Sequence, residues 1–188
     1  MAQHSERAQP AQPAPLLSVE NLSISFAHPG GETAITRDVS FTVAPGERVG
    51  VVGGSGCGKT VTGLALLGLL PRSTARVRGA IRFQGEDLTS MPARRLRRLR
   101  GSEISMIFQE PMSALDPVFT VGEQLTETLR CHRKVSRKEA RERSIEALAE
   151  VGIPSPAQRI DDYPYQFSGG MRQRVMIAMA LICRPKLV

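Results

Sequence analysis

The sequence predicts an α/β fold in which a parallel core is flanked by a small antiparallel sheet and a helical region. Three observations carry that expectation. An apolar run, a glycine-rich loop and a helix follow one another over 47–70; alternating extended segments lie on either side, at 16–43 and 76–83; and helical apolar spacing governs 121–151.

Residues 1–15 are Ala, Gln, Pro and polar, with no apolar h-region, so a flexible tail is expected rather than a secretory signal. The remaining 16–188 read as one domain, long enough to bury a core of its own. Residues 16–26 alternate as a strand does, His28-Pro29-Gly30-Gly31 is a turn, and 34–43 forms a second extended run. Pro45-Gly46 then leads into Glu47-Arg48-Val49-Gly50-Val51-Val52, expected as a short buried strand. Residues 61–70 read as a helix that Pro71 ends. A further strand is expected over 76–83, closed by a turn at Gln84-Gly85-Glu86. Ile104-Ser105-Met106-Ile107-Phe108 reads as another buried strand, broken by Gln109-Glu110-Pro111. Within 121–151, Ser136-Arg137-Lys138-Glu139 has the form of a capping box, Ile145, Leu148 and Val151 supply an apolar face, and Gly152 with Pro154 stops the helix. No internal repeat is present.

Composition narrows the function classes. Hydrophobic residues make up 41%, as in globular domains, and no apolar run reaches the roughly 20 residues of a membrane span. Cys57, Cys131 and Cys183 are scattered and lack C-x-x-C spacing, which indicates neither a disulfide framework nor a zinc site. His4, His28 and His132 are equally dispersed, and none suggests a metal ligand. The net charge of +7 concentrates in Arg94-Arg95-Leu96-Arg97-Arg98-Leu99-Arg100 and in 133–143, where Glu139 and Glu142 interleave. In the first cluster, leucines three apart anchor a helix and leave its arginines in solvent. A solvated basic face, or one that meets anionic headgroups or an acidic partner, fits this better than a nucleic-acid surface, because aromatics for stacking are only 4%.

The chemistry is concentrated in Gly53-Gly54-Ser55-Gly56-Cys57-Gly58-Lys59-Thr60. Glycines at this spacing leave no Cβ between backbone and ligand, so successive N–H groups can turn toward one anion, and the helix that follows adds its positive end. Lys59 is placed to reach β and γ phosphates, and the Thr60 hydroxyl can ligate Mg²⁺. The loop uses mainly the backbone of Ser55 and Cys57, and Val61 opens the helix behind it. The spacing and the flanking elements set this apart from a Gly/Ser-rich turn with an incidental lysine.

A second anion site stands near the end, in Tyr163-Pro164-Tyr165-Gln166-Phe167-Ser168-Gly169-Gly170-Met171-Arg172-Gln173-Arg174, ahead of a helical run through Ile182. Ser168 is a natural N-cap, and Gly169 and Gly170 expose first-turn N–H groups without side-chain cover. Alone this is only a loop before a helix. Its pairing with the phosphate loop about 110 residues upstream makes it informative.

With both motifs in place, the chain resembles the ATP-binding subunit of ABC transporters from about Leu16 onward. Residues 53–60 resemble the Walker A loop, Gln109 the Q-loop glutamine, and Phe167-Ser168-Gly169-Gly170-Met171 the signature sequence. The stretches 105–111 and 167–180 are most similar to the dipeptide/oligopeptide importers. Met171 departs from the commoner glutamine and is compatible with that subfamily. The resemblance implies a RecA-like P-loop NTPase core with an antiparallel β subdomain and a helical subdomain at about 110–168. It also implies ATP and Mg²⁺ as ligands. Two subunits, identical or paralogous, would sandwich two ATP molecules head to tail. Lys59 and Thr60 would act in cis, and Ser168, Gly169 and Gly170 would donate to the γ-phosphate in trans, with Met171 counted in the same nucleotide-binding segment. Gln109 would approach the metal and the attacking water. Phe26 is a candidate for stacking on adenine, or else a core phenylalanine of the first strand. The partners implied are membrane permease subunits and, indirectly, an extracytoplasmic solute-binding protein; the location implied is peripheral, on the cytoplasmic face of the membrane.

The family's Mg²⁺-binding aspartate and catalytic glutamate follow an apolar strand just beyond the signature helix. Here Arg184-Pro185-Lys186-Leu187-Val188 begins such a strand, and no Asp or Glu follows Asp162. No histidine follows His132, and Glu110 and Asp116 sit in the loop after a different strand, where they are poor substitutes. The expectation is a domain incomplete at its C-terminus, marginal as a fold and without significant turnover on its own. Two rival functions remain: a nucleotide-binding module without hydrolysis, and a non-transport ABC ATPase of DNA repair or translation. The latter usually carries long insertions or duplicated cassettes, and this chain shows neither.

Overall fold

A computed structural model describes residues 14–108 and 115–188, which fall into two compact units divided after Ser90. Nearly all of the expected tail, and Gln109 with Glu110 and Pro111, lie outside the described residues.

The first unit is built on a four-stranded antiparallel sheet of order β2-β1-β3-β4. Strand β1 (Leu17–His28) pairs with β2 (Gly31–Val43) from Leu17↔Val43 to His28↔Gly31, and on its other edge with β3 (Ala75–Phe83). β4 (Glu86–Asp87) joins β3 through a two-residue turn, Gln84 and Gly85, both at positive φ as a tight hairpin requires. Alternation in sequence becomes alternation in burial: Leu17, Val19, Leu22, Ile24, Ile81 and Phe83 are buried. The expected antiparallel sheet is therefore present, with each strand one to three residues longer than the apolar pattern alone marked.

Helix α1 (Lys59–Leu66) begins two residues earlier and ends four residues earlier than the expected 61–70. Gly68, not Pro71, ends it: the Leu69 N–H donates to Leu64 O at 2.9 Å and the Gly68 N–H to Ala65 O at 2.9 Å, with Gly68 at φ +58. This is a Schellman stop, which a glycine permits and the apolar run had masked.

The run 47–52 corrects the sequence reading more deeply. It carries no ladder, and Val49, Val51 and Val52 are 43%, 59% and 93% exposed rather than buried. An apolar run becomes a buried strand only if other strands pair with both its edges and layers cover both faces. Among the described residues of this unit, none does so.

Among its described residues the second unit holds five helices: α2 (Ala93–Leu99), α3 (Val121–His132), α4 (Arg137–Glu150), α5 (Pro156–Arg159) and α6 (Gly169–Leu181), with a 3₁₀ turn at Pro164–Gln166 before the last. Its core joins Val121, Leu125, Leu148, Ile160, Phe167 and Val175. Leu125 and Leu148 are fully buried, each stabilising the bundle by about 1.5–3 kcal/mol relative to exposure. Leu96 anchors α2 while Arg94, Arg95, Arg97 and Arg98 stand in solvent, as the leucine spacing predicts.

The complete capping box lies one helix earlier than expected. Thr120 Oγ1 accepts from the Glu123 N–H at 3.2 Å, and the Glu123 carboxylate accepts from the Thr120 N–H at 2.8 Å. Ser136 makes only its half, accepting from the Glu139 N–H at 3.1 Å, because the Glu139 carboxylate pairs with Arg143 at 2.7 Å. Gly152 closes α4 as expected, with Ile153 N–H on Leu148 O at 2.9 Å. The expected strand at 104–108 shrinks to two isolated parallel bridges of Ile104, with Arg100 and with Leu187, and Ile107 and Phe108 are exposed. The Ser105 N–H donates to Leu187 O and the Lys186 N–H to Glu103 O, so residues 186–187 run beside 103–105 where the resemblance expects a strand to begin.

Candidate nucleotide site

The loop 53–60 follows β2 after the unpaired 47–52 segment and ends on α1. Gly58 is the N-cap of α1, at φ +93 and ψ 5, a conformation that an L side chain rarely adopts. A Cβ at this position would also lie 2.5 Å from Thr36 Cγ2. Thr36 is buried on β2, held by the Ile24 N–H that donates to its Oγ1 at 3.0 Å. The sheet therefore fixes where the loop ends, through a threonine that no motif in the sequence marks.

No side chain caps α1, and no acidic residue occupies its first turn. Its N-terminal N–H groups and the positive end of its dipole are left uncompensated. Lys59 Nζ donates to Gly53 O at 2.6 Å and to Gly54 O at 2.7 Å, with Cys57 Sγ at 3.5 Å. The exposed ammonium is thus folded back onto the loop's own carbonyls. Nothing lies within 4 Å of where a Cβ would stand on Gly54 or Gly56, so the loop is open on the side a ligand would approach. Exposed Thr60 sits in the first turn of α1, and half-buried Val61 follows it. This donor set fits a polyphosphate: backbone N–H groups, one lysine, a hydroxyl for a metal, and no carboxylate to repel the anion.

The second motif is built in the other unit. Ser168 is extended at φ −62 and ψ 162, and its Oγ accepts from the Met171 N–H at 3.3 Å, which makes it the N-cap of α6. Gly169 and Gly170 are exposed, with open space beyond their missing Cβ atoms. They present the first-turn N–H groups of a helix without an acidic first turn. Met171, in contrast, turns inward and packs half-buried against the bundle core.

Among the remaining sequence candidates, Phe26 is half-buried near the end of β1, paired with Thr33 and Ala75. Asp116 is committed locally: its carboxylate accepts from the Val118 N–H at 3.0 Å, and buried Gln124 bonds its backbone on both sides. Cys183 is buried, and burial pushes its thiol up, whereas Cys57 and Cys131 are exposed. No cluster of metal-ligating side chains occurs among the described residues. Sequence reasoning missed Arg174, whose guanidinium donates to Gly152 O at 2.9 Å and ties α6 to the C-terminal end of α4. Its neighbour Arg172 has a buried Nε without a hydrogen-bond partner.

The profile of the ABC transporter family matches residues 36–188. The dipeptide transport ATP-binding protein DppD of Bacillus subtilis is 51% identical over 92% of this chain and 52% of its own length. The oligopeptide transport ATP-binding protein OppD of Salmonella typhimurium is 49% identical over 96% of the chain and 54% of its own. The chain thus spans about half the length of the curated relatives it matches. Among solved structures, the dimeric ABC transporter cassette MJ0796 superposes at TM-score 0.77 with 23% identity, over 90% of this chain and 70% of the other. CbiO1 of Clostridium perfringens superposes at 0.70 with 26% identity, over 92% and 64%. The fold, antiparallel sheet and helical bundle included, is that of these P-loop cassettes.

Proposed function

Since this chain belongs to the ABC transporter family, we propose that it is an ATP-binding subunit that couples ATP binding to the import of peptides or similar solutes. The observation that carries the nucleotide part is the loop geometry. Gly58 is locked against Thr36, α1 is uncapped, and Lys59 Nζ is drawn back over the Gly53 and Gly54 carbonyls. Near-50% identity to two peptide-transport ATP-binding proteins supports the choice of cargo.

In this reading the N–H groups of 54–60 hold the phosphates of ATP. Lys59 exchanges its two carbonyl contacts for phosphate oxygens, so its charge is already in place and reorganises little. Mg²⁺, held by the Thr60 hydroxyl together with Gln109, would neutralise charge on the phosphates. Ser168, Gly169 and Gly170 offer a second anion-binding helix end, made for the γ-phosphate of an ATP bound by another subunit. Phe26 contributes an apolar edge for the adenine. The partners that follow are a second ATP-binding subunit, membrane permease subunits and, through these, a solute-binding protein. No helix among the described residues is long and apolar enough to cross a membrane, which suits a peripheral subunit at the cytoplasmic face.

Co-expression with a peptide permease and its second ATPase decides on the transport role. Retention of the chain on permease-containing membranes, released by Gly169→Asp/Gly170→Asp or Lys59→Ala when ATP is supplied, is expected. Equal retention on membranes lacking the permease would refute it.

A further inference from the structure

The basic residues of the second unit are not used alike. Arg141 meets Asp161 through two bonds of 2.8 and 2.7 Å, Arg143 meets Glu139 at 2.7 Å, and Arg159 meets Asp162 at 3.4 Å. Arg98, Arg130 and Lys134 take part in no ion pair among the described residues. All three line one hollow of 540 Å³, between the turn that follows α2 and the C-terminal end of α3. Arg133 completes the cationic wall, half-buried His132 lies beside it, and the single carboxylate in the lining, Glu103, is already bound by Lys186 at 3.0 Å.

The hollow has a built geometry. Gly101 stands at φ +77, and a Cβ there would be 2.7 Å from His132 Nε2, so only a glycine lets the turn close onto the end of α3. One nitrogen of Arg133 donates to Cys183 O at 3.1 Å, and the side chain lines both this hollow and a neighbouring one. The ordinary account of such cations is that they neutralise helix C-termini. The ends of α2 and α3 supply about half a negative charge each, enough to offset roughly one of the four permanent cations. Two or more positive charges remain unmatched around one exposed hollow. A singly charged carboxylate would leave much of that charge unsatisfied, whereas a phosphate dianion matches it in both charge and fork geometry.

We propose that this hollow, walled by Arg98, Arg130, Arg133 and Lys134, is a binding site for a phosphate monoester or pyrophosphate group, separate from the loop at 53–60. The group is carried by a free anion or by a lipid headgroup. Arg94 lies one helical turn from Arg98 on α2 and extends the positive field toward an incoming anion.

His132 reports occupancy. Burial, and secondarily the Arg133 charge, hold its imidazole below the usual histidine range. A bound dianion opposes the second cause and raises the value. The test uses the full chain carrying Lys59→Ala, so that the phosphate loop does not confuse the titration. The His132 ring resonance is followed against pH in pyrophosphate and in chloride of equal ionic strength. A rise of about one unit in pyrophosphate is expected. It should vanish in the triple variant Arg98→Gln/Arg130→Gln/Lys134→Gln, whose exposed side chains can be changed with the far-UV circular dichroism preserved. In a parallel arm, the chain is sedimented with phosphatidylcholine vesicles with and without phosphatidate. A pyrophosphate response lost in the variant assigns a soluble ligand; phosphatidate-dependent sedimentation lost in the variant, without a pyrophosphate response, assigns the headgroup. No response in either arm, or a response the triple variant keeps, overturns the proposal.

Discussion

Gly58→Ala should be far more damaging than its one added methyl suggests, and the structure divides the damage into two parts. At φ +93, an alanine takes on about 1–2 kcal/mol of backbone strain. Its Cβ would also stand 2.5 Å from Thr36 Cγ2. Thr36 cannot simply rotate away, because its Oγ1 accepts from the Ile24 N–H in a buried position. Losing that bond would strand an N–H at a cost of about 1–3 kcal/mol. The expected total is about 2–5 kcal/mol, read as a shift in the urea midpoint at unchanged slope by far-UV circular dichroism. Thr36→Ser removes Cγ2 and keeps the hydroxyl. In that background Gly58→Ala should cost only its backbone share, about 1–2 kcal/mol, and the difference is a coupling free energy between loop and sheet. Fluorescent ATP-analogue affinity should follow the same order. A Gly58→Ala midpoint equal to the wild type, or an identical loss in both backgrounds, would refute the claim that the sheet fixes the loop through Thr36.

Other outcomes follow from the helical unit. Gly122→Ala places a Cβ 2.5 Å from Ile160 Cγ1 and 2.7 Å from the Ile160 carbonyl that accepts the Gly122 N–H; overpacking of about 1–3 kcal/mol is expected in the same urea assay, and a neutral result would deny that close approach. Arg141→Gln should cost no more than about 0.2–1 kcal/mol at neutral pH, since both partners of its pair with Asp161 are well exposed. The hydrogen bond and charge of Arg141 hold the Asp161 carboxyl below its usual range, so this contribution is present above the unfolded carboxylate value and fades as pH falls through the lower folded one. Melts of the two proteins should therefore converge only at acid pH; a gap that widens on acidification would contradict the assignment.

Sequence and structure agree where local residues specify the backbone. The glycine spacing at 53–58, the cap at Ser168 and the alternation of 16–43 and 76–83 each state their own geometry. They diverge where the outcome depends on partners distant in sequence. The run 47–52 is apolar enough for a central strand, yet apolarity does not name the strands that must pair with it, and Val52 stands 93% exposed. Gly68 went unnoticed because the leucines around it continue the helical pattern, while its positive φ is set by the stop it makes. Thr36 gave no signal, since a threonine in a strand is ordinary until the Gly58 Cα comes to rest against it. Ser136 matched the capping-box pattern but shares its Glu139 with Arg143, a competition visible only once both side chains are placed.

The central claim is that residues 53–60 grip the polyphosphate of ATP through Lys59 and the uncapped start of α1. Equilibrium binding of ATP, ADP and AMP to the purified chain with Mg²⁺, for the wild type and for Lys59→Ala, tests it most directly. Affinity should fall steeply from ATP to AMP, and Lys59→Ala should weaken ATP by tenfold or more, about 1.4 kcal/mol, while leaving AMP nearly unchanged. Equal affinity for ATP and AMP, or ATP binding indifferent to the loss of Lys59, would contradict it.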